Sequence, residues 1–144
     1  MILLTLLIIN LIWIGYSLTE GVREGFYWHY ENQSKKVCDF NVNPMFNIQR
    51  IIVLLLVNGI LVNIIGYYSI LSSLCMILMF SFFHNGTYYY TRNKLNERYY
   101  PKRWTDESKT FPPYAPLLSY SKRTVLMSIG FLAQVFIYLF LLHN

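Results

Sequence analysis

Residues 51–83 read IIVLLLVNGILVNIIGYYSILSSLCMILMFSFF and contain no charged side chain. As one straight helix this stretch would be about 50 Å long at roughly 1.5 Å per residue, whereas the hydrocarbon core of a bilayer is about 30 Å thick. The chain must therefore fold back within it. The turn-forming residues are concentrated between Asn63 and Tyr68, so the sequence predicts two short helices joined by a tight turn there.

Two further uncharged blocks flank this pair, Ile2 to Thr19 and Thr124 to Leu142. The first block lies where a signal peptide would, but it lacks a basic leader and an Ala-x-Ala-like cleavage site, so we expect it to be retained as a membrane anchor. The sequence thus predicts an all-α integral membrane protein, a four-transmembrane-helix bundle forming one membrane domain over residues 1–144. The predicted spans are about 2–19, 48–65, 67–84 and 123–142.

Charge is confined to two segments, because all 12 Lys and Arg and all 7 Asp and Glu residues lie within 20–50 or 92–123. With four spans, the polar segments 20–47 and 85–122 fall on one side of the membrane. The positive-inside rule predicts that this side is the cytoplasm, or its organelle equivalent, with the N- and C-termini outside. A composition of 55% hydrophobic and 13% charged residues argues against a soluble domain, in which about 25% of residues are charged.

The net charge of +5 comes from residues 92–123, where basic side chains interleave with Tyr99, Tyr100 and Trp104. This pattern is typical of a surface that lies against anionic lipid headgroups. No nucleic-acid partner is expected beside a membrane span. The candidate headgroup-binding residues are Arg23, Arg92, Lys94, Arg98, Lys102 and Arg103.

Carboxylates recur along the helix predicted to continue the first span, where Glu20, Glu24, Tyr27 and Glu31 share one face. Stacked carboxylates need a counter-charge, a proton or a cation. His84 follows the third apolar block, and because the first and third spans end on the same side, it can approach Glu20 or Glu24. The candidate catalytic residues are Glu20, Glu24, His29 and His84. An ion-paired helix face without catalytic function is the structural alternative.

No metal or cofactor is expected, because the sequence has no H-E-x-x-H motif, repeated His box, haem motif or nucleotide-binding loop. Small and weakly polar residues in the apolar blocks predict close helix packing instead. The candidate packing residues are Gly59, Asn63, Gly66, Ser72, Ser73 and Gln134.

Three functions stay open at this point. The preferred one is a scaffold or subunit of a membrane complex that docks a partner, or copies of itself, through its basic, aromatic cytoplasmic face. The second is an interfacial membrane enzyme acting on a lipid-like substrate, with Glu24 or Glu20 as base and His84 or His29 as acid or ligand. The third is an oligomeric channel or permeability factor. The expected partners are membrane lipids with anionic headgroups and either a second copy or a membrane-complex partner.

Overall fold

The computed structural model describes residues 2–34, 43–98, 100, 102–109 and 117–143. Four helices dominate it, and a two-residue antiparallel pairing joins two short strands near the last helix. All four helices are long and apolar enough to cross a membrane, which confirms the predicted all-helical class and the number of candidate spans. The elements are α1 (Ile2–Ser34), α2 (Asn43–Ile65), α3 (Tyr68–Leu95), β1 (Ser108–Lys109), β2 (Leu117–Leu118) and α4 (Tyr120–His143).

The predicted fold-back is confirmed at Gly66, between the end of α2 and the start of α3. Gly66 has a φ of 56°, in the left-handed region where a side chain would be strained. Its amide nitrogen donates to the carbonyl oxygen of Val62 at 3.0 Å, which closes the last turn of α2. The two helices can therefore reverse direction with only two residues between them.

The helices extend well past the predicted spans at one end. α1 continues to Ser34 and α3 to Leu95, so much of the chain predicted to be cytoplasmic remains helical. Residues 35–42, 99, 101 and 110–116 of the two predicted cytoplasmic segments lie outside the described residues.

The helix α3 lies at the centre of the bundle, with α1 and α4 packed along it and α2 in more limited contact. Parallel packing of α1 on α3 is shown by Trp13, whose Nε1 donates to the carbonyl oxygen of Met76 at 2.9 Å, and by Gly25, which meets Thr91. α4 runs the opposite way, because Gln134 contacts Ser72 whereas the earlier Gly130 lies against the later Met79. Helix directions therefore alternate, and the charged residues of α1, α2 and α3 meet at one end, named here the charged end.

At the charged end, α1 and α3 approach each other closely through two glycines. A Cβ built on Gly21 would overlap Thr87 Oγ1 and the carbonyl oxygen of His84, and one built on Gly25 would lie 2.9 Å from the Cβ of Thr91. Glycines four residues apart on one helix face allow this approach. The backbone of α1 is therefore held against the segment of α3 that carries His84.

The predicted packing residues divide into two groups. Ser72, Ser73 and Gln134 are buried, and Gln134 Nε2 donates to Ser72 Oγ at 2.5 Å. The other three, Gly59, Asn63 and Gly66, are exposed, and a Cβ on Gly59 or Gly66 would meet nothing within 4 Å. The close-packing role of this second group stays a prediction. Asn63 Nδ2 donates to the carbonyl oxygen of Gly59 at 2.8 Å, within its own helix.

Candidate functional site

Four ionisable side chains from three helices meet at the charged end: Glu20 and Glu24 from α1, Arg50 from α2 and His84 from α3. We call them the polar cluster. Arg50 Nη2 pairs with Glu24 Oε2, and Arg50 Nε lies 3.6 Å from Glu20 Oε1. His84 Nε2 lies 2.9 Å from Glu24 Oε2. The structure therefore brings together three of the four candidate catalytic residues, and adds an arginine to them.

Local sequence explains how each side chain reaches the cluster. Glu20 and Glu24 are four residues apart, so they lie one turn apart on the same face of α1. Arg50 is the one charged residue of α2, and it precedes the uncharged run that begins at Ile51. His84 follows the apolar run of α3 directly. The apolar blocks therefore place all four groups at the same height in the bundle.

His84 has a different partner on each ring nitrogen. Nδ1 lies 2.9 Å from Asn85 Oδ1, an acceptor, which favours a proton on Nδ1. Nε2 lies 2.9 Å from both Arg50 Nη2 and Glu24 Oε2. A neutral ring can accept from the guanidinium, and a protonated ring can donate to the carboxylate. His84 therefore contacts both the cation and the anion of the cluster through one ring nitrogen.

The negative groups of the cluster are covered by the positive ones. The side chains of Glu20 and Glu24 are 2% and 14% exposed, against 19% for Arg50 and 48% for Arg23. Arg23 Nη2 lies 2.8 Å from Glu20 Oε2, and its guanidinium lies 5.0 Å from the ring centroid of Phe46 on α2. Arg23 lies beside the polar cluster, and together with Arg50 it balances the formal charge of the two carboxylates, while the guanidiniums are the more exposed groups.

His29 lies five residues beyond Glu24 on α1, with its ring edge-on to Tyr30 at a centroid distance of 5.4 Å. The side chain of Glu31 lies outside the described part of the chain. Within that described part, no group of three or more His, Cys, Asp or Glu side chains is arranged to hold a metal ion. The catalytic roles of Glu20, Glu24, His29 and His84 stay predictions.

In the second polar segment, aromatic rings lie against three of the basic side chains, those of Arg92, Lys94 and Lys102. The guanidinium of Arg92 lies 3.8 Å from the ring centroid of Tyr100, and its Nη1 donates to the hydroxyl of Tyr88 at 2.6 Å. Burial raises the pKa of the Tyr100 phenol, so this ring stays neutral beside the cation. Lys102 and Lys94 similarly lie over the rings of Tyr89 and Tyr90. We call the following residues the basic platform: Arg92, Lys94, Arg98, Lys102 and Arg103.

A buried arginine fixes the platform to the helices. Arg123, in the first turn of α4, is 0% exposed, and its Nη2 donates to the carbonyl oxygens of Trp104 and Asp106 at 2.7 Å each. Trp104 packs so closely on α3 that a Cβ built on Gly86 would overlap its indole ring. The chain around residues 104–106 is therefore clamped to both α3 and α4.

Sequence reasoning missed Arg50 and Arg123 as site residues. Each is the last charged residue before an uncharged block, and that position was the available signal, because a charge at the head of a span must find a partner near the headgroup level. The spacing of Gly21 and Gly25 was a second signal for close packing. Nothing in the sequence indicates that Trp104 folds back onto Gly86.

The features of the molecule that bear on function are the polar cluster, the basic platform and the class of the fold. Comparison of the chain with protein-family models, with curated proteins and with solved structures gives no match.

Proposed function

We propose that this chain is a multi-pass membrane protein whose two polar segments face the cytoplasm, or its organelle equivalent, with both termini on the opposite side. The alternating helix directions support this orientation, since the described parts of both segments leave the bundle at the charged end. All 12 Lys and Arg residues lie either in those segments or, as Arg50 and Arg123, beside them at the same end of α2 and α4. Such an imbalance between the two sides is what the positive-inside rule describes.

On this membrane topology, we propose that the protein is a scaffold or complex subunit that docks an acidic protein surface on its basic platform. The observation that carries the proposal is the clamp by Arg123, which ties residues 104–106 to α3 and α4. A surface that is ordered before binding loses little conformational entropy when a partner docks. The clamp therefore gives a charged segment the rigidity that a docking surface needs.

The charges of the platform are available to such a partner. Arg98, Lys102 and Arg103 are exposed, and the ion pair between Arg103 and Glu97 joins side chains that are 72% and 67% exposed. An exposed pair of this kind contributes little and exchanges readily. Exposed positive charge favours fast association with an acidic surface.

The polar cluster supports a structural role for its carboxylates. Glu20 is paired with Arg23 and Arg50, and Glu24 with Arg50 and His84. To act as a general base, Glu24 would first have to leave its guanidinium, and leaving a buried charge unpaired is unfavourable. Direct pairing therefore favours the scaffold over the enzyme.

Site-specific photo-crosslinking in native membranes tests the docking proposal. A crosslinking residue at position 98 should capture one defined partner, whereas the same residue at Leu132, on the exposed apolar side of α4, should not. The double variant Lys102→Glu, Arg103→Glu should abolish the product by reversing the platform charge, and Lys122→Glu should leave it. No product at position 98, or a product unaffected by charge reversal, would contradict the proposal.

The interfacial enzyme remains a second candidate because of one observation, the direct contact of Glu24 with His84 at 2.9 Å. A carboxylate and an imidazole that share a proton can serve as an acid and base pair. Turnover of labelled membrane lipids by the purified protein, lost in Glu24→Gln, would support this function, and its absence across lipid classes would remove it.

An oligomeric channel stays a prediction that planar-bilayer recording, with Asn63→Leu as the comparison, would test.

A further inference from the structure

An apolar groove of about 220 Å³ lies between α1, α2 and α3. It exists because α2 rests on α3 and has few contacts with α1. Its walls include Trp13, Leu54, Ile77 and Phe80, and its polar lining is Asn47 and Arg50. The groove therefore runs from the apolar interior of the bundle towards the charged end.

The apolar walls of the groove are suited to hydrocarbon. Its lining side chains all belong to helices with the length and composition of membrane spans. The indole nitrogen of Trp13 already donates to the carbonyl oxygen of Met76, so its N–H group does not need a polar ligand in the groove. A site of this kind within a bilayer is filled by an acyl chain, because an empty apolar space loses packing energy.

The polar end of the groove carries positive charge. The guanidinium of Arg50 lies 5.5 Å from the ring centroid of Phe80, and Arg50 Nη1 donates to Asn47 Oδ1 at 3.3 Å. Arg23 reaches the same end of α2 through Phe46. Because the carboxylates of Glu20 and Glu24 are buried behind these guanidiniums, a headgroup at this end meets cations first.

We propose that the groove binds one phospholipid with an anionic headgroup. Its acyl chain lies along Trp13, Leu54 and Ile77, and its phosphate lies beside the guanidiniums of Arg50 and Arg23. Charge complementarity at the polar end selects the headgroup, and the apolar walls accept any chain of suitable length. This site is separate from the basic platform, so the inference does not depend on the docking function.

Native mass spectrometry of the detergent-purified full chain tests the inference, with phosphatidylglycerol and phosphatidylcholine of identical acyl chains as probes. The wild type should retain one phosphatidylglycerol and prefer it by roughly fivefold, as expected for about one basic side chain near the headgroup. Leu54→Trp fills the groove and should abolish retention. Leu55→Trp, at the neighbouring position that is 63% exposed on the outer side of α2, should leave retention unchanged.

Quenching of tryptophan fluorescence provides a second measurement that needs no groove-filling variant. Trp13 is buried and lines the groove. A brominated acyl chain can therefore approach its ring by lying in the groove. Brominated phosphatidylglycerol should quench a component that saturates at one lipid per chain and disappears in Trp13→Phe. Equal retention of the two lipids, equal behaviour of Leu54→Trp and Leu55→Trp, or quenching that never saturates would overturn the inference.

Discussion

At the scale of single residues, Arg50 supplies positive charge to both carboxylates of the polar cluster. Its guanidinium pairs with Glu24, lies 3.6 Å from Glu20 and contacts His84. Keeping a buried carboxylate charged without a partner costs free energy. Removing one partner of a buried pair therefore destabilises the fold much more than removing an exposed ion pair does. Arg50 is also the residue that attaches α2 to the charged groups of α1.

We therefore expect Arg50→Met to lower the free energy of unfolding by about 3 kcal/mol, because it leaves Glu24 and Glu20 with less counter-charge. Denaturation by sodium dodecyl sulfate in mixed micelles measures this change. Arg98→Met, on an exposed residue, should stay within about 0.5 kcal/mol of the wild type. Adding Glu24→Gln to Arg50→Met should recover part of the loss, and equal stability of the two arginine variants would contradict the assignment.

The carboxylate face of α1 could be predicted from residue spacing, and so could the approach of His84, because four spans fix which ends meet. The pairing of Arg50 with Glu24 could not be predicted from the sequence. It depends on the rotation of α2 about its own axis, and α2 is apolar on nearly all sides, so no stripe in its sequence indicates which face packs.

At the scale of elements, the contact between α1 and α3 depends on glycines at the charged end. The Cβ of an alanine at position 21 would overlap Thr87 and the backbone of His84. We expect Gly21→Ala to destabilise the fold by about 1–3 kcal/mol, the usual range for overpacking.

The matched control is Gly59→Ala on α2, where a Cβ would meet nothing within 4 Å. Alanine is the better helix former, so this variant should be neutral or slightly stabilising. Thermal unfolding in detergent compares the two variants directly. Similar transition temperatures for both would show that α1 and α3 are not in close contact at Gly21.

The clamp on the basic platform is the second feature at this scale. Arg123→Met removes both hydrogen bonds to the carbonyl oxygens of Trp104 and Asp106, so we expect faster opening of this segment. Limited trypsin digestion, scored at Lys102 and Arg103, should then proceed several-fold faster, because local opening controls cleavage.

Lys122→Met is the control for the clamp. Lys122 is the exposed neighbour of Arg123, and its replacement by methionine also removes one positive charge. It should digest at the wild-type rate. Acceleration by both variants alike would assign the effect to charge, and no acceleration by Arg123→Met would show that the clamp does not hold the segment.

At the scale of the whole molecule, α3 organises the bundle, with α1 and α4 packed along it and α2 held more loosely. The sequence predicted four helices and the reversal at Gly66, because the length of an uncharged block and the position of a glycine are local properties. It did not predict that Gly59, Asn63 and Gly66 would face outward. Small residues indicate where helices can approach, but the packing of the larger side chains decides which faces meet.

The central claim is that both charged segments lie on the same side of a membrane. It is tested most directly by labelling single cysteines in oriented membrane vesicles with an impermeant maleimide, in a chain whose Cys38 and Cys75 have been replaced by alanine. Lys35→Cys and Lys102→Cys should react from one side, and Tyr67→Cys, in the exposed turn, from the other. Reaction of positions 35 and 102 from opposite sides would contradict the account.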